Sequence, residues 1–395
     1  MRQRDAIASL AAALVLVVGM GFGRFAFTGL YPLMVTSGQI SVGGGSYAAA
    51  ANYASYLVGA LLTALLTRVS SHKLCLASVV ATVVLAGLLS LRLPEWTIIA
   101  IRGLAGAASA ISIVAATHWL IHDRDHHHGA PALFAGVGVG IVLSAELIAV
   151  STSLGFSSFG IWAVLGLGAL PLSIIAMALQ ARQERHVISA PMHPQQRMRE
   201  ASASIGPLRL VAVYGLAGFG YIITATYLPL LVRTAVSSID PIHVWAIFGI
   251  GAVPSCFFWH RLSVRWGSNR SLMINLVIQA IGVALPAIHS SAAYMLSALL
   301  VGGTFMGTVT IAMPAARAIA ECVRFNMLAV MTAAYGVGQI LGPLLASRLY
   351  AAKGTFDTSL YIAAAALILA GVLCIAPRRA QQSASLTDGR LAGLH

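Results

Sequence analysis

Uncharged or nearly uncharged apolar windows of about 20 residues recur along the whole chain, each long enough for a helix to cross a bilayer. Twelve can be placed, at about 6–36, 44–67, 73–91, 95–121, 130–153, 158–181, 207–233, 241–260, 270–289, 291–316, 325–350 and 356–376. Only 9% of the 395 residues are charged, against roughly 25% in a chain that coats itself with water. Strand-type alternation is missing, which argues against an outer-membrane barrel. The expectation is an all-α integral membrane protein of twelve transmembrane helices.

Between the sixth and seventh windows lies ARQERHVISAPMHPQQRMREASASIGPLR, a polar stretch with Arg182, Arg185, Arg197, Arg199 and Arg209. It divides the chain into an N-terminal six-helix half (1–181), a cytoplasmic linker (182–206), a C-terminal six-helix half (207–377) and a cytoplasmic tail (378–395). The formal charge of +13 invites a nucleic-acid reading, but its distribution points to a membrane instead. With the N-terminus inside, eighteen of the 24 Lys and Arg residues fall on the cytoplasmic side and four, Arg92, Arg233, Arg348 and Lys353, on the other. That bias orients the chain with both termini in the cytoplasm, in a bacterial inner membrane, with no nucleic-acid partner. Arg2 and Arg4 before an apolar run resemble a signal peptide, but the run is long and no small-residue cleavage site precedes Arg24, so a retained first helix is expected. Cys75, Cys256, Cys322 and Cys374 have no paired spacing and read as packing residues.

The two halves repeat. GFGRFAFTGLYPLM at 21–34 aligns without gaps to GFGYIITATYLPLL at 218–231, an offset of 197. The same offset carries Arg68, Ser71 and Lys73 onto Arg265, Ser268 and Arg270, and near offset 200 GVGVGIVLS at 136–144 meets GVGQILGPL at 336–344. Six helices duplicated in parallel are a mark of some secondary transporters, with the substrate site between the halves.

With twelve spans, a central basic linker and a repeated basic loop, the chain resembles the major facilitator superfamily. GFGRFAFTGLYPLM, ANYASYLVGALL and GVGQILGPLLA are similar to its YbfB/YjiJ-type branch. The resemblance covers nearly the whole chain and implies two pseudo-symmetric six-helix halves. It further implies that helices one, four, seven and ten line a central cavity, while helices two, five, eight and eleven pack across the halves. Some family motifs are degraded. LLTRVSSHKL has Arg68 where an Asp is expected, and LSVRWGSNRSL keeps Gly267 but has Val264 at the acidic position. The fourth-helix pattern survives as Arg102 and Gly106, and the fifth-helix Gly-Pro antiporter pattern does not.

Arg24 is the residue that bears most on function. It lies more than ten residues from either end of its span, over about 15 Å at 1.5 Å per residue. Facing lipid it would cost at least about 2.5 kcal/mol, so it is expected to face the interior, with Thr28 and Tyr31 on its stripe. A guanidinium, a hydroxyl and a phenol on one face fit a polar, anionic group; the competing reading is an interhelical ion pair. Glu146 is the one carboxylate deep within a drawn span, Glu95 and Asp357 standing at span ends. A buried carboxylate is suited to loading and releasing a proton, and its competing role is a permanent partner of Arg102 or Arg24. Asn52 and Tyr56 on helix two, Tyr221 and Thr224 on helix seven, and Tyr335 and Gln339 on helix eleven complete the candidate lining, set against ordinary interhelical hydrogen bonding.

HDRDHHHGAP at 122–131 matches no metal-ligand order, and His118 with Asp123 is a weak acyltransferase-like pair. No metal, cofactor or catalytic residue is expected, and no phosphate loop suggests ATP. The sequence therefore favours a monomeric, proton-coupled secondary transporter of a small organic solute, an organic anion by the surplus of buried arginine. The rivals are an exporter of amphipathic compounds, with Met20, Met306 and Met313 in an adaptable cavity, a membrane-embedded enzyme, and a transport-dead sensor.

Overall fold

The computed structural model describes residues 2–65, 68–184, 205–235, 240–320, 323 and 327–375. Most of the expected linker and all of the expected tail lie outside the described residues, as does Cys322. Among the described residues twelve long helices follow one another: α1 (Gln3–Thr36), α2 (Val42–Leu65), α3 (Ser71–Leu89), α4 (Glu95–Asp123), α5 (Ala130–Ser153), α6 (Ser158–Glu184), α7 (Pro207–Ala235), α8 (Pro241–Trp266), α9 (Ser268–Ile288), α10 (Ser291–Ala320), α11 (Met327–Lys353) and α12 (Asp357–Ile375). Eleven are apolar enough to cross a membrane on the described residues alone. The twelfth, α2, is 24 residues long without one charged side chain.

Local chemistry sets the helix ends. Asp240 caps α8 by accepting from the Ile242 N–H at 2.9 Å, with Pro241 in the first turn. Gly267, at φ 81°, makes the corner into α9, a conformation that glycine adopts without strain.

Small residues let the helices approach, because lipid supplies no hydrophobic drive between them. A Cβ on Gly106 of α4 would fall 2.0 Å from the Asn52 carbonyl oxygen of α2, and one on Gly302 of α10 would fall 2.0 Å from the Phe248 carbonyl oxygen of α8. These crossings are 196 residues apart at both partners, so the duplication seen in the sequence is also a duplication of packing. The Gly136–Gly140 stripe of α5 takes the backbone of α1 at Ala13 and Gly21. Helices α5 and α8 pack together across the halves, as do α2 and α11, with Gly138 set against the Gly249 carbonyl. Six spans precede residues 185–204 and six follow, so Gln3, Glu184 and Pro207 share one face of the molecule.

Candidate functional site

The centre of α1 leaves α-helical geometry. Val17–Phe25, sequence VVGMGFGRF, is π-helical. Its glycines admit close neighbours: a Cβ on Gly19 would strike the Ser112 side chain of α4, and one on Gly21 the backbone of Gly140. A π segment gives up the ordinary i to i−4 bonding and is common at functional sites. Arg102 of α4 serves the displaced carbonyls. Its Nη1 donates to Gly23 O at 2.7 Å and its Nη2 to Arg24 O at 3.0 Å, with the guanidinium 4.6 Å from the Phe27 ring. Arg102 is thus the brace that holds the irregular turn carrying Arg24. The equivalent stretch of α7 is a regular α-helix and has Ala298, not arginine, at the matching place on α10.

Arg24 is 4% exposed. Its Nη2 donates to the Gln339 Oε1 of α11 at 3.1 Å, across the two halves. Its Cζ lies 4.0 Å from the Tyr56 ring centroid, 4.9 Å from Tyr53 and 5.6 Å from Phe25. Its Nε has no partner. Among the described residues no carboxylate pairs with it. Ring faces and one neutral amide only partly replace the hydration that a buried guanidinium gives up, so the site carries a positive charge short of an acceptor.

The facing wall is aromatic. Gln339 donates from Nε2 to the Tyr221 hydroxyl. Tyr221 stacks on Phe305 (5.7 Å, 17°) and on Tyr335 (5.8 Å, 23°), and Tyr335 stacks on Tyr214 (4.5 Å, 28°). Phe25 meets Phe305 edge-on at 6.0 Å, and Tyr53 shares a 3.0 Å hydrogen bond with Thr226. Arg24 and Tyr221, equivalent under the 197-residue repeat, therefore converge on one amide, Gln339.

Of the residues singled out in the sequence, the structure gathers Arg24, Tyr56, Tyr221, Tyr335 and Gln339 into one cluster. Thr28 is buried a turn further on. Tyr31 points away from the cluster: its hydroxyl donates to Val42 O at 2.8 Å and its ring stacks on Phe27. Asn52 is spent on packing, donating to the Arg102 carbonyl at 2.9 Å. Thr224 is buried with its hydroxyl unpartnered. Two placements are corrected. Glu146 is neither buried nor beside Arg24 or Arg102; its side chain is 49% exposed and lies 3.6 Å from His243 Nδ1 on α8. It points to a different side of α5 from the glycine stripe that packs on α1. Arg102 pairs with backbone carbonyls rather than with Glu146. Phe25, Tyr53, Tyr214 and Phe305 were missed. Tyr53 had a visible signal, three residues before Tyr56 on one helix face; Phe305 had none.

The halves also close on the face opposite Gln3, Glu184 and Pro207. Tyr227 of α7 donates to Ser46 Oγ at 2.8 Å, and Trp245 Nε1 of α8 donates to Phe25 O at 3.2 Å. Above this closure sits a cavity of about 610 Å³ lined by Pro32, Val42, Arg233, His289, Tyr294, Tyr350 and Asp357, among others. On the other face, His118 and Asp123 do meet, at 3.2 Å, and Ser71 lies 2.9 Å from the same imidazole. Both contacts fall on Nδ1, whereas a proton relay from serine to carboxylate needs both ring nitrogens.

A duplicated set of six helices, glycine-packed across a central seam that holds one buried, unneutralised arginine, defines the class: a multi-pass membrane transporter of the major facilitator fold. The family model described as "Uncharacterised MFS-type transporter YbfB" matches residues 16–375, and the chain belongs to that family. Among solved structures it is similar to the nucleoside transporter NupG, with a TM-score of 0.65 at 16% identity over 93% of this chain and 98% of that one. At that identity the likeness speaks for the fold. No curated protein sequence matches the chain.

Proposed function

We propose that this transporter moves a small organic anion across a bacterial inner membrane by alternating access, as a monomer coupled to protons. The observation that carries the anion is Arg24: a buried guanidinium between the halves, with Nε unpartnered and no carboxylate among the described residues paired with it. The second buried arginine, Arg102, adds to the surplus. The Arg24–Gln339, Ser46–Tyr227 and Phe25–Trp245 bonds fit a state sealed on the outer side. In that state the six-helix halves, 1–181 and 207–377, would rock about the Arg24 site.

Burial no longer supports Glu146 as the proton carrier. What supports it is position: Glu146 on α5 and His243 on α8 face each other across the seam, where relative motion of the halves would part them. NupG's description as a nucleoside transporter offers a neutral substrate instead, but no feature of the Arg24 site asks for one. The test is uptake of labelled organic acids into proteoliposomes under an imposed pH gradient. Accumulation that a protonophore collapses is expected. Absence of flux for every acid, or covalent conversion of the solute, would overturn the reading.

A further inference from the structure

We propose that the anion is an aromatic monocarboxylate, an inference that rests on the organic-anion reading of the Arg24 site. Three features of the cluster narrow the chemistry. First, the guanidinium is covered by the Tyr56 and Tyr53 rings, and its Nη2 already holds a planar, neutral oxygen, Gln339 Oε1, at 3.1 Å, while the adjoining Nε holds nothing. A carboxylate fits that edge in plane. One oxygen would take the place of the amide oxygen and the other would meet Nε, the parallel pair of bonds that arginine is shaped to give. Second, one guanidinium is on offer. The Nη donors of Arg102 are spent on the Gly23 and Arg24 carbonyls, and the other side chains around the cluster are tyrosines, phenylalanines, Gln339 and Thr226. A second anionic charge, as on a phosphate monoester, would find no donor of opposite charge.

Third, the wall beyond the guanidinium is flat. The Tyr221 ring lies 17° from parallel to Phe305 and 23° from parallel to Tyr335. A flat π-face stacks on such a wall, and a puckered saturated ring only touches it. Aromatic stacking adds enough beyond burial to favour the flat ring roughly 3- to 10-fold in affinity.

The experiment is thermal unfolding and titration calorimetry on the full-length purified protein with five probes: benzoate, cyclohexanecarboxylate, benzyl alcohol, phenyl phosphate and uridine. Benzoate is expected to raise the melting temperature and to bind roughly 3- to 10-fold more tightly than cyclohexanecarboxylate; benzyl alcohol, phenyl phosphate and uridine are expected to do neither. Tyr221→Leu should erase the preference for benzoate over the saturated acid. Phe305→Leu, with the same expectation, serves if the first variant does not fold. Equal binding of the two carboxylates, or tighter binding of phenyl phosphate, overturns the aromatic monocarboxylate and leaves the organic anion standing. Binding of uridine or benzyl alcohol with no response to any acid overturns both. No response to benzoate at saturating concentration overturns the aromatic class on its own.

Discussion

Arg24 of α1 and Gln339 of α11, 315 positions apart, meet at the centre of the molecule through a 3.1 Å hydrogen bond between the halves. The contact is charged on one side and neutral on the other. An amide oxygen stands where a carboxylate oxygen would bind more strongly, which leaves room for a ligand to displace it.

Gln339→Glu tests that relationship with a near-isosteric change. The new carboxylate would neutralise Arg24 in place of a ligand and tie the halves together. Thermal stability should rise by about 1.5–3 kcal/mol, the size of a charge-assisted hydrogen bond, while binding of organic acids should be lost. Gln339→Ala should keep acid binding, since Arg24 remains. Melting curves with and without acid measure both effects; undiminished acid binding by Gln339→Glu would show that the site lies elsewhere.

Arg102 is expected to behave as a structural residue. Arg102→Ala strands the Gly23 and Arg24 carbonyls that its two N–H groups now serve. Each lost charge-assisted bond costs about 1.5–3 kcal/mol, so a fall in folded, monodisperse yield is predicted. Arg102→Lys keeps the charge but cannot span both carbonyls and should be intermediate. Size-exclusion profiles of the two variants order the effects, and a fully stable Arg102→Ala would mean the π segment stands without the brace.

The Glu146–His243 pair is exposed, so its contribution to stability should stay under about 1 kcal/mol. Glu146→Gln should therefore fold normally. If the pair carries the proton, this variant should lose pH-driven accumulation yet exchange labelled substrate, because exchange moves no net proton. His243→Gln should have the same phenotype, and the double variant should be no worse. Normal pH-driven accumulation in Glu146→Gln would remove Glu146 from the coupling.

Topology rests on the lysine and arginine count. Reporter fusions after Arg209 and after Arg390 should read cytoplasmic, and one near Ser41 external. An external signal at Arg390 would imply an odd number of spans.

The fold was legible because it is written in repetition: apolar windows, loop charge and the 197-residue repeat each extend over many residues. The site was only half legible. Helical spacing put Tyr31 on Arg24's stripe, but the Tyr31 hydroxyl is spent on the Val42 carbonyl, a partner on the next helix that spacing along α1 does not reveal. Glu146 looked internal because its neighbours in sequence are apolar. Its face of α5 is not against α1, and sequence cannot show which face a uniformly apolar helix turns inward. Phe305 and Tyr214 reach the cluster only through tertiary packing, and an aromatic residue in an apolar span gives no sign of that.

The most direct measurement is the affinity of Arg24 variants for the transported acid, by calorimetry on monodisperse protein. Arg24→Lys keeps the charge without the planar fork and should weaken binding about tenfold. Arg24→Ala removes a charge-assisted bond of about 1.5–3 kcal/mol and should weaken binding by roughly 10- to 100-fold or abolish it, with both variants still folding. Wild-type affinity in Arg24→Ala, or a substrate that proves to be a cation, would contradict an anion site at Arg24 and leave that residue as part of the packing.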